Sequence, residues 1–200
     1  MNSLFPKDKL IFDIPNAEVE YYGQFFDEIQ ANKLFETLKN EIPWQQDMIT
    51  VFGKTHPQPR LTSLFGNDGK QYSYSNIIMQ PNPWIAVLTF IKEEVEKICH
   101  EKFTTVLLNY YRDGKDSNGW HADNEKELGI NPILASVSLG AERMFHLKHN
   151  LINDQMLKIN LEHGSLLVMK GETQHFWKHQ IPKTAKSIGS RINLTFRILK

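Results

Sequence analysis

The residues best placed to do chemistry in this 200-residue chain are His121-Ala122-Asp123, His179 well downstream, and the run from Arg191 to Arg197, RINLTFR. Two histidines and one carboxylate bind iron(II) on one face and leave the opposite positions open. An arginine after the last ligand, on a strand, can clamp a dicarboxylate with its planar fork. Together these imply an oxygenase that uses iron(II) and 2-oxoglutarate, with dioxygen taking the last open position. A bare His-x-Asp match is weak, so the order and context of the other residues carry the argument.

Alternate residues of a strand share a face, so His121 and Asp123 can point to one side at a strand-to-loop junction. Trp120 precedes them and would shield the pair. The third ligand must come from a distant strand lying alongside. The chain has 8 histidines. The ordinary state of any one of them is solvated or hydrogen-bonded. By position, His163, His175 and His179 are the serious candidates, and chemistry alone does not choose among them.

Arg191, Asn193, Thr195 and Arg197 alternate, so they can share one face of a strand. A buried face with two arginines is costly without anions to pair with them, and a dicarboxylate supplies both. Asn109 and Tyr111 alternate on another strand and could add polar contacts. The competing reading is the polar outer face of an exposed strand carrying ordinary surface ion pairs.

Two helices must frame these residues. One runs from about Asp27, a plausible N-cap, to Asn40, with Ile29, Phe35, Leu38 and Ile42 at near-helical spacing. The second follows Asn82-Pro83, read as a cap and a proline at the first helical position, with the stripe Trp84, Val87, Leu88, Ile91, Val95 and Ile98. Both stripes read as core packing. After Lys102 the chain reads as short strands at 103–111, 133–139, 142–149, 155–161, 165–169, 174–179 and 190–198. Turn signals at Asp113-Gly114, Asn118-Gly119, Asn153-Asp154 and His163-Gly164 separate them. That spacing suggests a sandwich or jelly roll, mainly β with flanking helices, rather than a parallel sheet. Residues 45–80, with short β-like pieces, precede the main sheet as a separate region that could be a lid.

Apolar content is 40%, charged content 23% and formal net charge zero, the balance of an ordinary soluble domain. Zero net charge argues against attachment to nucleic acid by bulk electrostatics alone, though not against a local basic rim. No apolar run is long enough for a signal peptide or a membrane span. With Cys99 the only cysteine, no intrachain disulfide is possible, and the expected compartment is a reducing cytoplasm, or a nucleus in a eukaryote.

From about Val51 to Leu199 the chain resembles the AlkB family of iron(II)/2-oxoglutarate dioxygenases, most of all the duplex-DNA-repair branch. The matching segments, in colinear order, are VFGK at 51–54, PR at 59–60, YSYS at 72–75, NPWI at 82–85 and LNYYRDG at 108–114. They continue with HADNE at 121–125, ASVSLG at 135–140, HGSLL at 163–167 and RINLTFR at 191–197. The resemblance implies one domain over 1–200, a double-stranded β-helix at about 102–199 with an N-terminal nucleotide-recognition lid at about 45–80. It implies His121, Asp123 and His179 as the iron ligands. Arg191, Asn193 and Tyr111 would hold the distal carboxylate of 2-oxoglutarate, while Asn109 and Arg197 approach the carboxylate beside the keto group, with Thr195 on the same face. The implied reaction removes methyl groups from 1-methyladenine and 3-methylcytosine in DNA, with succinate, carbon dioxide and formaldehyde as products. The expected partner is alkylated nucleic acid, DNA over RNA, and the expected state is a monomer with no membrane contact.

Aromatics can sandwich a base drawn from its stack, and a cationic base gains from a facing π cloud. The resemblance implies that Tyr74 stacks on the base with the His121 ring, that Tyr72 bonds its edge, and that Ser75 lies in the same substrate segment. Trp120 would join the tyrosines at the entrance. Val51-Phe52-Gly53 resembles an apolar finger that fills the gap left by a flipped base, with glycine allowing its turn. Lys54, His56 and Arg60 could touch phosphates nearby. Two departures stand out. Asn124 occupies a position usually acidic in that branch, with Glu125 kept. The basic loops are also thinner, with Lys148, His149, Lys158, Lys183 and Lys186 remaining.

Overall fold

A computed structural model describes residues 9–51, 53–67, 72–74 and 77–200, with the backbone alone at 50–51, 72–74 and 77–79. The elements run β1 (Lys9–Phe12), β2 (Glu18–Tyr22), α1 (Glu28–Glu41), β3 (Met48–Val51), β4 (Lys54–Pro57), β5 (Leu61–Gly66), β6 (Tyr72–Tyr74) and β7 (Ile77–Met79). They continue with α2 (Ala86–Cys99), β8 (Thr105–Tyr111), β9 (Asn118–His121), a 3-10 turn at Lys126–Leu128, β10 (Leu134–Gly140), β11 (Arg143–His149) and β12 (Met156–Leu161). The last are β13 (Ser165–Lys170), α3 (Thr173–Phe176), β14 (Trp177–Ile181) and β15 (Arg191–Arg197).

Two antiparallel sheets form the body. The larger has seven strands in the order β1-β2-β13-β10-β15-β8-β5, and the smaller four in the order β12-β11-β14-β9. One hydrophobic cluster lies between the larger sheet and the two long helices, and another lies between the sheets. β15 shows how one strand serves both layers. Ile192, Leu194 and Phe196 belong to the helix-side core. Arg191, Asn193, Thr195 and Arg197 face the cavity between the sheets. The whole strand is buried, so the side-chain period of two shows in chemistry rather than in exposure. This is the jelly-roll arrangement expected from the strand spacing.

Several local expectations change. Asp27 does cap α1, its carboxylate accepting the Gln30 amide at 2.8 Å. The buried face is Ala31, Leu34 and Leu38, while Ile29 is 82% exposed. Pro83 precedes α2 rather than opening it, because Asn82 is engaged with β5: its side-chain amide donates to the Leu64 carbonyl at 3.0 Å. The strand expected at 174–179 is the helical turn α3 followed by β14 at 177–181. The main sheet also draws on the chain before Lys102, since β5 pairs with β8, and β2 with β13. Within 45–80, only the β3–β4 and β6–β7 hairpins stand apart from that sheet.

Candidate metal and 2-oxoglutarate site

β9 and β14 are paired so that His121 and His179 are register partners. Asp123 lies two residues past the end of β9. The ligand atoms of His121, Asp123 and His179 lie within 4.8 Å of one another, the one such group of histidine, cysteine and acidic residues among the described residues. The two imidazoles meet edge-on, with ring centroids 4.2 Å apart. His179 and Asp123 are 5% and 2% exposed. The rival histidines are engaged elsewhere. His163 accepts the Gly140 amide at 2.8 Å, and His175 lies 2.9 Å from the Asn131 side chain.

The electrostatics suit a cation. Burial pushes His179 down to about 3, and the neighbouring His121 adds to this. Burial also lowers His121. Burial alone would raise Asp123, but Arg197, His179 and His121 hold it down at about 2. At neutral pH the site therefore offers two neutral imidazoles and a carboxylate, the protonation states a metal requires. His121 Nδ1 lies 2.7 Å from the Gly119 carbonyl. A proton on Nδ1 puts the lone pair on Nε2, which the Asn118 side-chain amide meets at 3.2 Å and which an ion would take over.

A dicarboxylate fits the same cavity. Arg191 is 1% exposed and donates through Nη2 to the Ser138 hydroxyl at 2.9 Å. Its Nε and Nη1 are buried with no hydrogen-bond partner among the described residues. Burial lowers this guanidinium to about 10, with Arg143 adding to the effect and Tyr111 opposing it. A buried cation with two unsatisfied donors calls for an anion. At the other end of the face, Arg197 Nη2 lies 3.1 Å from Asp123 Oδ1, beside the metal ligands. The two arginines thus mark the ends of a slot lined also by Asn109, Tyr111, Asn193 and Thr195. Asn193 donates to Ser136 at 2.7 Å and accepts from Thr195 at 3.1 Å, which fixes this wall.

Some expected contacts move. Arg60 is not on the surface: it is 3% exposed, and its Nε donates to Asn109 Oδ1 at 2.7 Å, so it orients a wall of the slot. His149 is likewise buried, its Nδ1 accepting the Leu151 and Ile152 amides at 3.1 and 2.9 Å. Trp120 does not shield the ligands. It alternates with His121 on β9, is 41% exposed, and faces His146 at 6.5 Å on the outer side. Lys54 is exposed on β4, and Gly53 adopts φ 74° in the preceding turn, as a tight finger requires. Phe52 and Ser75 lie outside the described residues. For Val51, Tyr72 and Tyr74 only strand membership is defined. Asn124 is exposed, whereas Glu125 is partly buried at the start of the 3-10 turn.

Sequence reasoning missed Arg143. It is 3% exposed, and its guanidinium donates to the Asp116 and Pro182 carbonyls at 2.9 and 2.7 Å. It also packs on the Tyr111 ring at 5.5 Å, while Arg191 packs on that ring at 5.2 Å. No local motif marks an arginine that bonds distant carbonyls. Arg143→Met would strand both acceptors, at a cost of about 2–4 kcal/mol. The melting temperature is expected to fall by roughly 5–15 °C, with weakened 2-oxoglutarate binding. Thermal denaturation and cosubstrate titration check both; an unchanged melt would remove the clamp role.

The sequence model of the 2OG-Fe(II) oxygenase superfamily matches residues 18–197. The mouse (Mus musculus) alpha-ketoglutarate-dependent dioxygenase alkB homolog 3 is 41% identical over 190 residues, covering 90% of this chain and 66% of the mouse protein. The human (Homo sapiens) DNA oxidative demethylase ALKBH2 is 36% identical over 186 residues, covering 88% of this chain and 71% of that protein. The chain spans slightly less than two thirds of the mouse homolog 3 length. In fold, the solved structure of OsALKBH1 superposes with a TM-score of 0.69 at 16% identity, covering 96% of this chain and 100% of that one. With the His-Asp-His group and the arginine-ended slot in one cavity, these likenesses place the chain in the AlkB family of 2OG-Fe(II) oxygenases.

Proposed function

We propose that the chain oxidatively demethylates N-alkylated bases, 1-methyladenine and 3-methylcytosine, in nucleic acid, with DNA favoured over RNA. The observation that carries this reading is the meeting, in one cavity, of the His-Asp-His group with the buried, unsatisfied donors of Arg191. The names of the related proteins support the substrate class, since one group is called DNA oxidative demethylase. When bound, iron(II) with 2-oxoglutarate and dioxygen supplies the oxidation that turns an N-methyl group into a hydroxymethyl, which leaves as formaldehyde.

The chain supplies position and exclusion. His121, Asp123 and His179 would hold the ion at the mouth of the slot. Arg191 would bind the far carboxylate of the cosubstrate in a buried site, with the keto end directed along β15 toward Arg197, which bonds Asp123. Arg197 pairs with Asp123 and would also meet the nearer carboxylate. Phe145, Leu161 and Ile181 wall the cavity and keep bulk water out.

Succinate formation with iron(II), 2-oxoglutarate and methylated oligonucleotides tests the proposal, with DNA and RNA in parallel. Succinate without base dependence would remove the nucleic-acid reading. The β3–β4 hairpin carries the finger segment, and Phe52→Ala checks it. Unpairing costs a few kcal/mol, so repair of methylated duplex should fall by roughly tenfold or more while single-strand repair holds. Matched salt is essential because phosphate contacts respond to it. Equal losses on both substrates would make Phe52 a packing or base-pocket residue instead.

A further inference from the structure

We infer that Gln174 is a positioning residue for the metal, acting through the backbone of Asp123; this rests on the reading of His121, Asp123 and His179 as ligands. Two of those ligands are held by sheet pairing, because His121 and His179 face each other across β9 and β14. Asp123 is not on a strand; it lies beyond the end of β9. Its carboxylate is drawn toward Arg197, with Nη2 3.1 Å from Oδ1, while His179 Nε2 stands 4.0 Å from Oδ2. A backbone free to yield would let the arginine turn the carboxylate away from the histidines. Gln174 opposes this: its Oε1 accepts the Asp123 amide at 3.0 Å.

The surroundings of Gln174 make the acceptor role specific. The side chain is 1% exposed. Its Nε2 meets the Met169 sulfur at 3.7 Å, a weak acceptor. The opposite amide orientation would set two donors, the NH2 group and the Asp123 amide, against each other. Burying a primary amide beside a thioether costs free energy that leucine would avoid. The bond to Asp123 is what offsets that cost. Gln174 also lies in α3, five residues before His179, so one short segment carries one ligand and aligns another.

Iron(II) titrated anaerobically into the metal-free protein tests this, by calorimetry, with thermal melts of each metal-free form alongside. The variants are Q174L, Q174N, Q174E and the reference D123A. Q174L removes the acceptor and Q174N withdraws it by one methylene. Both are expected to bind iron roughly 10- to 100-fold more weakly, the usual loss when a partner of a metal ligand is removed. Q174E keeps an oxygen at the same reach and is expected to bind at least as tightly as wild type. Q174N is expected to stay folded and to melt a few degrees below wild type, for its stranded Asp123 amide. Affinities of Q174L and Q174N within about threefold of wild type would overturn the inference, well short of that usual loss. A loss shared equally by Q174E would overturn it too, marking a packing role. Should Q174L not fold, the Q174N and Q174E pair decides. Wild type binding iron no better than D123A would instead sink the metal reading itself, whatever Gln174 does.

Discussion

Replacing His179 by alanine is expected to take iron(II) binding and turnover below detection. The reason is geometric. His179 is the register partner of His121, and with Asp123 it completes the only cluster of its kind among the described residues. The remaining pair would be an imidazole at the end of the edge strand β9 and a carboxylate already paired with Arg197. That pair lacks the second nitrogen ligand that makes the set suitable for iron(II). The substitution also removes a buried ring packed 5.2 Å from Phe145, so a melt must accompany the assay. The matched controls are His163→Ala and His175→Ala, whose rings bond Gly140 and Asn131 instead. These are expected to leave iron affinity unchanged, with His163→Ala losing about 1 kcal/mol of stability for its stranded amide. An active His179→Ala beside a dead His163→Ala or His175→Ala would reassign the third ligand.

Arg191→Lys is expected to raise the 2-oxoglutarate requirement by roughly ten- to hundredfold while leaving the nucleic-acid requirement near its wild-type value. Lysine keeps the charge but loses the planar fork, so one charge-assisted hydrogen bond worth about 1.5–3 kcal/mol disappears. Nη2 already donates to Ser138, and Nε and Nη1 have no hydrogen-bond partner among the described residues. A cosubstrate titration on a fixed methylated oligonucleotide checks this. An unchanged midpoint would mean that the anion sits elsewhere in the slot. A parallel rise in both requirements would point to damage of the shared cavity rather than of the cosubstrate clamp.

The parts of the site legible in the sequence are those governed by local periodicity. Arg191, Asn193, Thr195 and Arg197 alternate on a strand, and period two is enough to put them on one face. The same rule should have placed Trp120 opposite His121, yet its bulk near the motif suggested a shield. Helix positions show the same split. The spacing of Leu38 with Ile42 places real core, but Ile29 fits the spacing and is in water, because it points away from the buried face of α1 that Ala31, Leu34 and Leu38 mark. Arg60 and Arg143 were illegible for another reason. An arginine is ordinarily a surface residue. Their burial depends on acceptors that the fold brings from afar, such as Asn109, Asp116 and Pro182. Chemistry alone left His163, His175 and His179 open and the resemblance pointed to His179; the helical turn α3, invisible in the spacing, breaks the apparent strand and puts His175 and His179 on different elements.

The pairing of β2 with β13 has a consequence for how the molecule is born. Glu18 is matched with Lys170, and Tyr22 with Leu166, so the early strand β2 waits for the much later β13. β15, which joins β10 to β8 in the middle of the same sheet, is synthesised later still. During translation the early strands therefore present open edges, the kind of surface on which chains aggregate. Closure of such distant pairs is slow compared with helix formation. Iron can be held by the full ligand set only after β14 has emerged and docked, because His179 reaches His121 through the pairing of β14 with β9. Completion of the metal site is thus tied to the docking of β14 rather than to the emergence of β9.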